Sequence, residues 1–216
     1  YYLLQRIFKQ VQQDFSAQYY AELPKLGSGP LKGFPRVFDI AREFVVSVEC
    51  QLDAERIKRF LSLYQTIKPL RIGELWALPI MLRIVLLEAI LQFSSTTKTE
   101  QLVPPVAADG GSGPPNPFKL ELSLPAEEVI ATSIPSLRVL LNEDWKAFVE
   151  SVSYVDKVLS AEPAQIYALM DFETRDRYRK SVEGLAAGSD LEEVAVAEAA
   201  VALAESRFAG SGSEMT

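Results

Sequence analysis

The stretch Ile72-Gly-Glu-Leu-Trp-Ala-Leu-Pro-Ile-Met-Leu-Arg-Ile-Val-Leu-Leu-Glu-Ala-Ile-Leu-Gln-Phe93 decides the fold. It is apolar on nearly every side of a helical projection, has no strand-like alternation, and is far longer than an ordinary strand. At 100° per residue Glu74, Glu88 and Gln92 share one narrow sector, while Arg83 stands on the opposite side with Trp76, Leu87 and Ile90. The stretch is long enough to cross a bilayer. Against that reading it carries Glu74, Arg83, Glu88 and, in its middle, Pro79; each central charge costs about 2.5–3.5 kcal/mol on insertion scales. A buried helix at the centre of a bundle is the better solution, so the segment is expected not to span a membrane.

Working outward, apolar residues keep helical spacing, and no Asn-Gly or Asp-Gly hairpin signal occurs. Residues 1–21 read as one helix, ended by Leu23-Pro24 and followed by a loop from Gly27 to Gly33. Pro35 opens a second helix with Val37, Ile40, Phe44 and Val48 as its stripe. Asp53 is placed to cap a third, with Ile57, Phe60, Leu61 and Tyr64 inward, and Pro69 stops it. Residues 94–118, with Pro104-Pro105, Gly110-Gly111-Ser112-Gly113 and Pro114-Pro115, have the composition of a linker. Helical signals return near Pro125 and again after Pro135. Asp144 leads into Trp145, Phe148, Val149, Val152, Val155 and Leu159. Pro163 opens a short helix to Met170, Asp171 caps another ending at Gly188, and Ser189 with Glu192 forms a capping box for the last. The expected architecture is all-α, a multi-helix bundle of about eight helices with one Pro/Gly-rich linker. It divides into residues 1–94, a linker over 95–122, a second helical half over 123–209 packing on the first, and a frayed tail over 210–216. A chain that opens mid-helix on Tyr1-Tyr-Leu-Leu, with no initiator Met, reads as a piece of something longer.

The net charge of −7 is unevenly spread: residues 1–94 hold 12 Lys and Arg against 9 acids, residues 95–216 hold 10 against 20. Phosphate binding needs concentrated cations, so no nucleic-acid partner is expected. The single cysteine, Cys50, forms no intrachain disulfide and reads as a small buried hydrophobe. With no histidine in the chain, Ser-His-Asp triads and histidine bases are excluded. Gly-rich phosphate loops and Asp-x-Asp pairs are absent too, so neither catalytic nor metal residues nor a cofactor are assigned.

The informative residues are charges on apolar faces. Arg83, among large apolar neighbours, must find a carboxylate or several carbonyls. A structural ion pair is the favoured reading, with Asp171 or Asp176 as partner; a ligand contact is the sharper one. In Asp171-Phe-Glu-Thr-Arg-Asp-Arg-Tyr-Arg-Lys180, Glu173 with Arg177 and Asp176 with Lys180 are i,i+4 pairs, while Arg175 and Arg179 turn to the side of Tyr178 and Val182. Glu74, Arg83, Asp171, Arg175, Asp176 and Arg179 are therefore candidate ion-pair or interface residues. Trp76, Trp145 and Tyr178 are candidate aromatic contacts, although at helical core spacing packing is the default reading.

Several stretches carry a family resemblance: Tyr19-Tyr-Ala-Glu-Leu-Pro-Lys-Leu26, Gly29-Pro-Leu-Lys-Gly-Phe-Pro-Arg-Val37, Arg59-Phe-Leu-Ser-Leu-Tyr-Gln65, Pro69-Leu-Arg-Ile-Gly-Glu-Leu-Trp-Ala-Leu-Pro-Ile-Met-Leu-Arg83, Ser136-Leu-Arg138, Asp144-Trp-Lys-Ala-Phe-Val-Glu-Ser-Val-Ser153 and Tyr167-Ala-Leu-Met-Asp-Phe-Glu-Thr-Arg-Asp-Arg-Tyr-Arg179. They resemble the N-terminal region of the cyclic β-1,2-glucan synthases, multidomain bacterial inner-membrane enzymes that polymerise glucose from UDP-glucose and close the product into a ring. The resemblance implies a helical domain on the cytoplasmic side of the membrane, ahead of the first span. It would be non-catalytic, packing on other domains of the same synthase and acting as a scaffold or a guide for the growing β-1,2-glucan. No activity is expected from the segment alone. One departure stands out: between Glu88 and Thr132 the family carries a long helical stretch where this chain has a short Pro/Gly linker. An independent helical protein–protein interaction module is the alternative.

Overall fold

The computed structural model describes residues 5–7, 9, 11, 13, 16–100 and 119–211. Among these the fold is all-helical, as the periodicity requires. Described residues 5–7, 9, 11 and 13 are helical, and after them come α1 (Ala17–Glu22), α2 (Arg36–Ser47), α3 (Ala54–Gln65), α4 (Ile72–Glu100), α5 (Ala126–Asn142), α6 (Trp145–Val152), α7 (Tyr154–Leu159), α8 (Phe172–Ala187) and α9 (Glu193–Ser211), with a 3₁₀ turn at Tyr167–Leu169. The only extended pairing among the described residues is an isolated bridge between Lys25 and Pro35. It closes a loop whose reversal relies on Gly29 and Gly33, both at positive φ near 85° where a side chain would be strained.

Several helix starts match their sequence signals. Asp53 accepts the Arg56 amide, Asp144 the amides of Lys146 and Ala147, and Asp171 that of Thr174. Other boundaries differ. The helix expected over residues 1–21 is broken at Ser16, whose extended backbone and hydroxyl cap α1. The run from Asp144 to Leu159 is two helices, because Ser153 leaves the helical region and its hydroxyl accepts the Asp156 amide. Pro135 interrupts nothing: α5 runs through it, as α4 runs through Pro79. α4 also continues to Glu100, so the first residues of the expected linker are helical, while residues 101–118 lie outside the described set. In place of a helix from Pro163, Glu162 accepts the amides of Ala164, Ile166 and Tyr167 and folds the loop around its carboxylate. Ser189 accepts the Leu191 amide rather than building a capping box.

The chain packs into two compact units, one of residues 1–60 and 76–143, the other of residues 61–75 and 144–216. Each unit is discontinuous in sequence. In the first, α4 is the core as expected: Ala77, Leu78, Met81, Leu82, Val85, Leu86 and Ala89 are all buried. In the second, Leu61, Leu75, Val149, Val152, Val155 and Val182 are buried.

A candidate functional site around Arg179

α8 brings Arg175, Arg179 and Val182 onto one face by its i, i+4, i+7 spacing, and that face turns inward. Arg179 is 1% exposed. Its Nη1 donates to Glu150 Oε1 at 2.9 Å and to Asp156 Oδ1 at 2.8 Å, and its guanidinium lies 4.8 Å from the Phe172 ring centre. Arg175 Nη2 donates to the other Glu150 oxygen at 2.8 Å, and the Tyr167 hydroxyl donates to Asp156 Oδ1 at 2.7 Å. Two cations, two carboxylates and a phenol thus form one connected network drawn from α6, α7, the 3₁₀ turn and α8. Burial alone would pull the Arg179 pKa down; the bonds to Glu150 and Asp156 outweigh it and push the value up. The Tyr167 hydroxyl is raised well above the usual tyrosine range, first by burial and then by its bond to the Asp156 anion.

A carboxylate pair working as acid and base needs one proton between its members and access to a substrate. Here two guanidinium groups and a phenolic proton surround both anions, and the network instead fixes three helices and a turn at defined distances. Of the expected charged residues it unites Arg175 and Arg179. Asp176 sits at its edge, 3.7 Å from Arg179 Nη2 and 2.8 Å from Lys180 Nζ. Asp171 belongs to the helix start, where its oxygens take the amide and hydroxyl of Thr174. Glu150, Asp156 and Tyr167 are additions that the charge pattern had not singled out. A signal for Asp156 was present: it stands between Val152 and Leu159 at helical spacing, an acid on an apolar face.

Arg83, in the other unit, is buried at 6% exposure, and its Nη2 donates to the Leu140 carbonyl at 3.1 Å. That carbonyl is among the last four of α5, which no amide of the helix itself can reach. The guanidinium thus closes a helix C-terminus, where positive charge is favoured. Both acids proposed for it, Asp171 and Asp176, are engaged within α8. Glu74, fully buried, accepts the Arg71 amide at 3.0 Å and caps α4. Among the three aromatic candidates, Trp145 packs edge-on to Phe148 and Trp76 is half-buried, whereas Tyr178 is 49% exposed. Tyr178 stacks edge-on to Tyr167 and borders an apolar cleft of about 300 Å³ that also involves Leu159, Met170, Val201 and Ala204. No helix among the described residues is long and apolar enough to cross a membrane, and no group of acids or cysteine there is placed to hold a metal ion.

With this geometry in place, comparison with known proteins points to one class, the cyclic β-(1,2)-glucan synthases. One similar protein is NdvB, the cyclic β-(1,2)-glucan synthase of Rhizobium meliloti (strain 1021), to which the chain is 26% identical across 99% of its own length. This agrees with the family resemblance read from the sequence. The chain spans only 10% of the length of that synthase. The alignment covers 275 positions against 216 residues, so the synthase carries residues that this chain lacks. No protein-family model matches the chain.

Proposed function

We propose that this chain is a non-catalytic helical domain of a cyclic β-1,2-glucan synthase, serving as a scaffold for the other domains or as a guide for the growing glucan, while polymerisation from UDP-glucose and ring closure take place elsewhere in the enzyme. The observation that carries the reading is the similarity that runs through nearly the whole chain while occupying a tenth of the synthase. A buried network that fixes helices, as around Arg179, supports a scaffold role. The domain would lie on the cytoplasmic side of a bacterial inner membrane as part of a larger membrane protein, with UDP-glucose chemistry absent from the isolated segment.

Sugars stack on exposed aromatic rings, and Tyr178 beside its cleft is the contact best presented for this. Isothermal titration of the purified chain with linear β-1,2-glucan oligomers tests the guiding role. Saturable heat that disappears in Tyr178→Ala supports it, whereas no heat at millimolar oligomer removes it. Glucan made from UDP-glucose by the purified chain would overturn the domain assignment.

A second reading, an independent helical interaction module, is favoured by one observation. Of the ten large apolar side chains that are exposed among the described residues, nine lie in the unit of residues 61–75 and 144–216, among them Ile67, Leu169 and Leu203. Apolar exposure concentrated in this way marks protein contact surfaces.

A further inference from the structure

Glu193 is the first residue of α9, yet its side chain serves another helix. Its Oε2 accepts the amide of Ile72 at 2.7 Å, across 121 residues of sequence. Ile72 is the first residue of α4, so its N–H is one of the four that a helix leaves unsatisfied at its start. Glu74 supplies the local cap through the Arg71 amide, and Glu193 supplies the second cap from a distance. One carboxylate therefore pins the beginning of α9 to the beginning of α4.

The pin sits in an uneven field. Glu193 is 7% exposed, Glu74 is fully buried, and Glu183 of α8 is a third carboxylate whose charge acts on Glu193. Arg71 is the facing cation, and its Nη2 is shared with the exposed Glu192 at 3.4 Å. Lys68 borders a small adjoining cavity of about 90 Å³ together with Arg71, Glu192 and Glu193. The Ile72 amide and Arg71 favour an anion at Glu193; burial and the two neighbouring carboxylates oppose it.

We propose that Glu193 is a proton-operated latch that sets how firmly the first turns of α9 are held at the start of α4. When protonated, it is neutral and its carbonyl oxygen still receives the Ile72 N–H. When ionised, it places a third negative charge beside Glu74 and Glu183. Burial first, with Glu183 and Glu74 adding to it, pushes its pKa up to about 7 against the opposing pull of Ile72 and Arg71. The folded value is above the unfolded one, so the stabilisation is complete below the ordinary carboxylate range and is lost as pH rises through about 7. The latch is tight in acid and slack in alkali, the reverse of a salt-bridged carboxylate. Ala200, Val201 and Ala204 of α9 line the cleft beside Tyr178, so slackening α9 loosens one wall of that cleft.

Amide hydrogen exchange of the purified chain, corrected for the intrinsic effect of pH on exchange, tests this. Protection over residues 194–204 and at Ile72 should be about tenfold lower at pH 8 than at pH 6, as linkage between a folded pKa near 7 and an ordinary unfolded carboxylate requires. Glu193→Gln keeps an acceptor without a titratable proton, and should hold the pH 6 level of protection at both values. Equal protection of the parent at both pH values, or a Glu193→Gln variant that keeps the parental pH dependence, overturns the latch. Should that variant not fold, carbon NMR titration of the Glu193 carboxyl in the parent decides: a midpoint near neutrality supports the latch and one in the ordinary carboxylate range overturns it.

Discussion

Arg179 and Asp156 meet at 2.8 Å with 1% and 8% of their side chains exposed, and the same Asp156 oxygen also receives the Tyr167 hydroxyl. Removing the cation leaves Asp156 with a neutral donor, the Tyr167 hydroxyl, and takes from Glu150 one of its two guanidinium partners, the other being Arg175. Arg179→Ala should lower stability by about 3–5 kcal/mol, the usual cost of breaking a buried pair from one side. Arg179→Met refills the volume but leaves the same carboxylates without that cation, so it should recover little of the loss. Urea midpoints read both, and a midpoint within error of the parent for Arg179→Ala would sink the network as a structural element.

Tyr167→Phe removes one donor to the Asp156 anion and nothing else. Its cost should be about 1.5–3 kcal/mol, the range for a hydrogen bond to a charged group. The sign of its pH dependence follows from the raised phenol pKa: the stabilisation is whole below the unfolded tyrosine value and declines as pH climbs through and beyond it. The stability gap between parent and variant should therefore narrow above the ordinary tyrosine range. Chemical denaturation at neutral and strongly alkaline pH measures it, and a gap that widens contradicts the bond.

Arg83 closes the end of α5 through the Leu140 carbonyl. Arg83→Met keeps the buried bulk and relieves the cost of burying a cation, so its loss should stay within about 1–2 kcal/mol. Arg83→Ala also leaves a cavity and should cost about 2–5 kcal/mol. Equal losses in the two variants would mean that the charge, and not the packed volume, carries the contribution.

Ser136 donates to the Cys50 carbonyl at 2.6 Å and accepts the Leu52 amide at 2.9 Å, bracketing a turn in which Glu49 and Cys50 both adopt positive φ. Neither is glycine, so the turn holds only while its surroundings enforce it. Ser136→Ala should destabilise by about 1–3 kcal/mol for the buried groups left unpaired. It should also speed the reaction of Cys50, which is fully buried and whose thiol pKa burial pushes up, with a thiol reagent. Unchanged thiol kinetics in a destabilised variant would separate the turn from the cysteine.

Helix starts were the most legible part of this sequence, because Asp53, Asp144 and Asp171 are local signals that satisfy amides two or three residues away. Prolines were less so. Pro135 looks like a break but stands inside a helix, as Pro79 does inside the helix that the sequence already ran through it; in both, buried neighbours offset the missing N–H. Ser153 carried no signal able to outweigh the apolar run around it, so a break there was hidden. Arg175 and Arg179 were visible as cations on the side of Val182, yet their partners could not be named, since Glu150 and Asp156 come from helices tens of residues earlier. Glu193 was hidden for the same reason: locally it is an acid in a first helical turn, and only the fold sets it against Ile72.

That last pairing has a consequence for how the chain is made. Ile72 emerges from a ribosome 121 residues before Glu193. At ordinary synthesis rates of about 5–20 residues per second, the interval is on the order of ten seconds. Throughout it, residues 61–75 belong to a unit whose larger part has not yet been translated. The buried acid Glu74 and the apolar Leu61, Leu70 and Leu75 must wait for their company, which makes this short span the natural point for a chaperone to engage the nascent chain and for truncated products to aggregate.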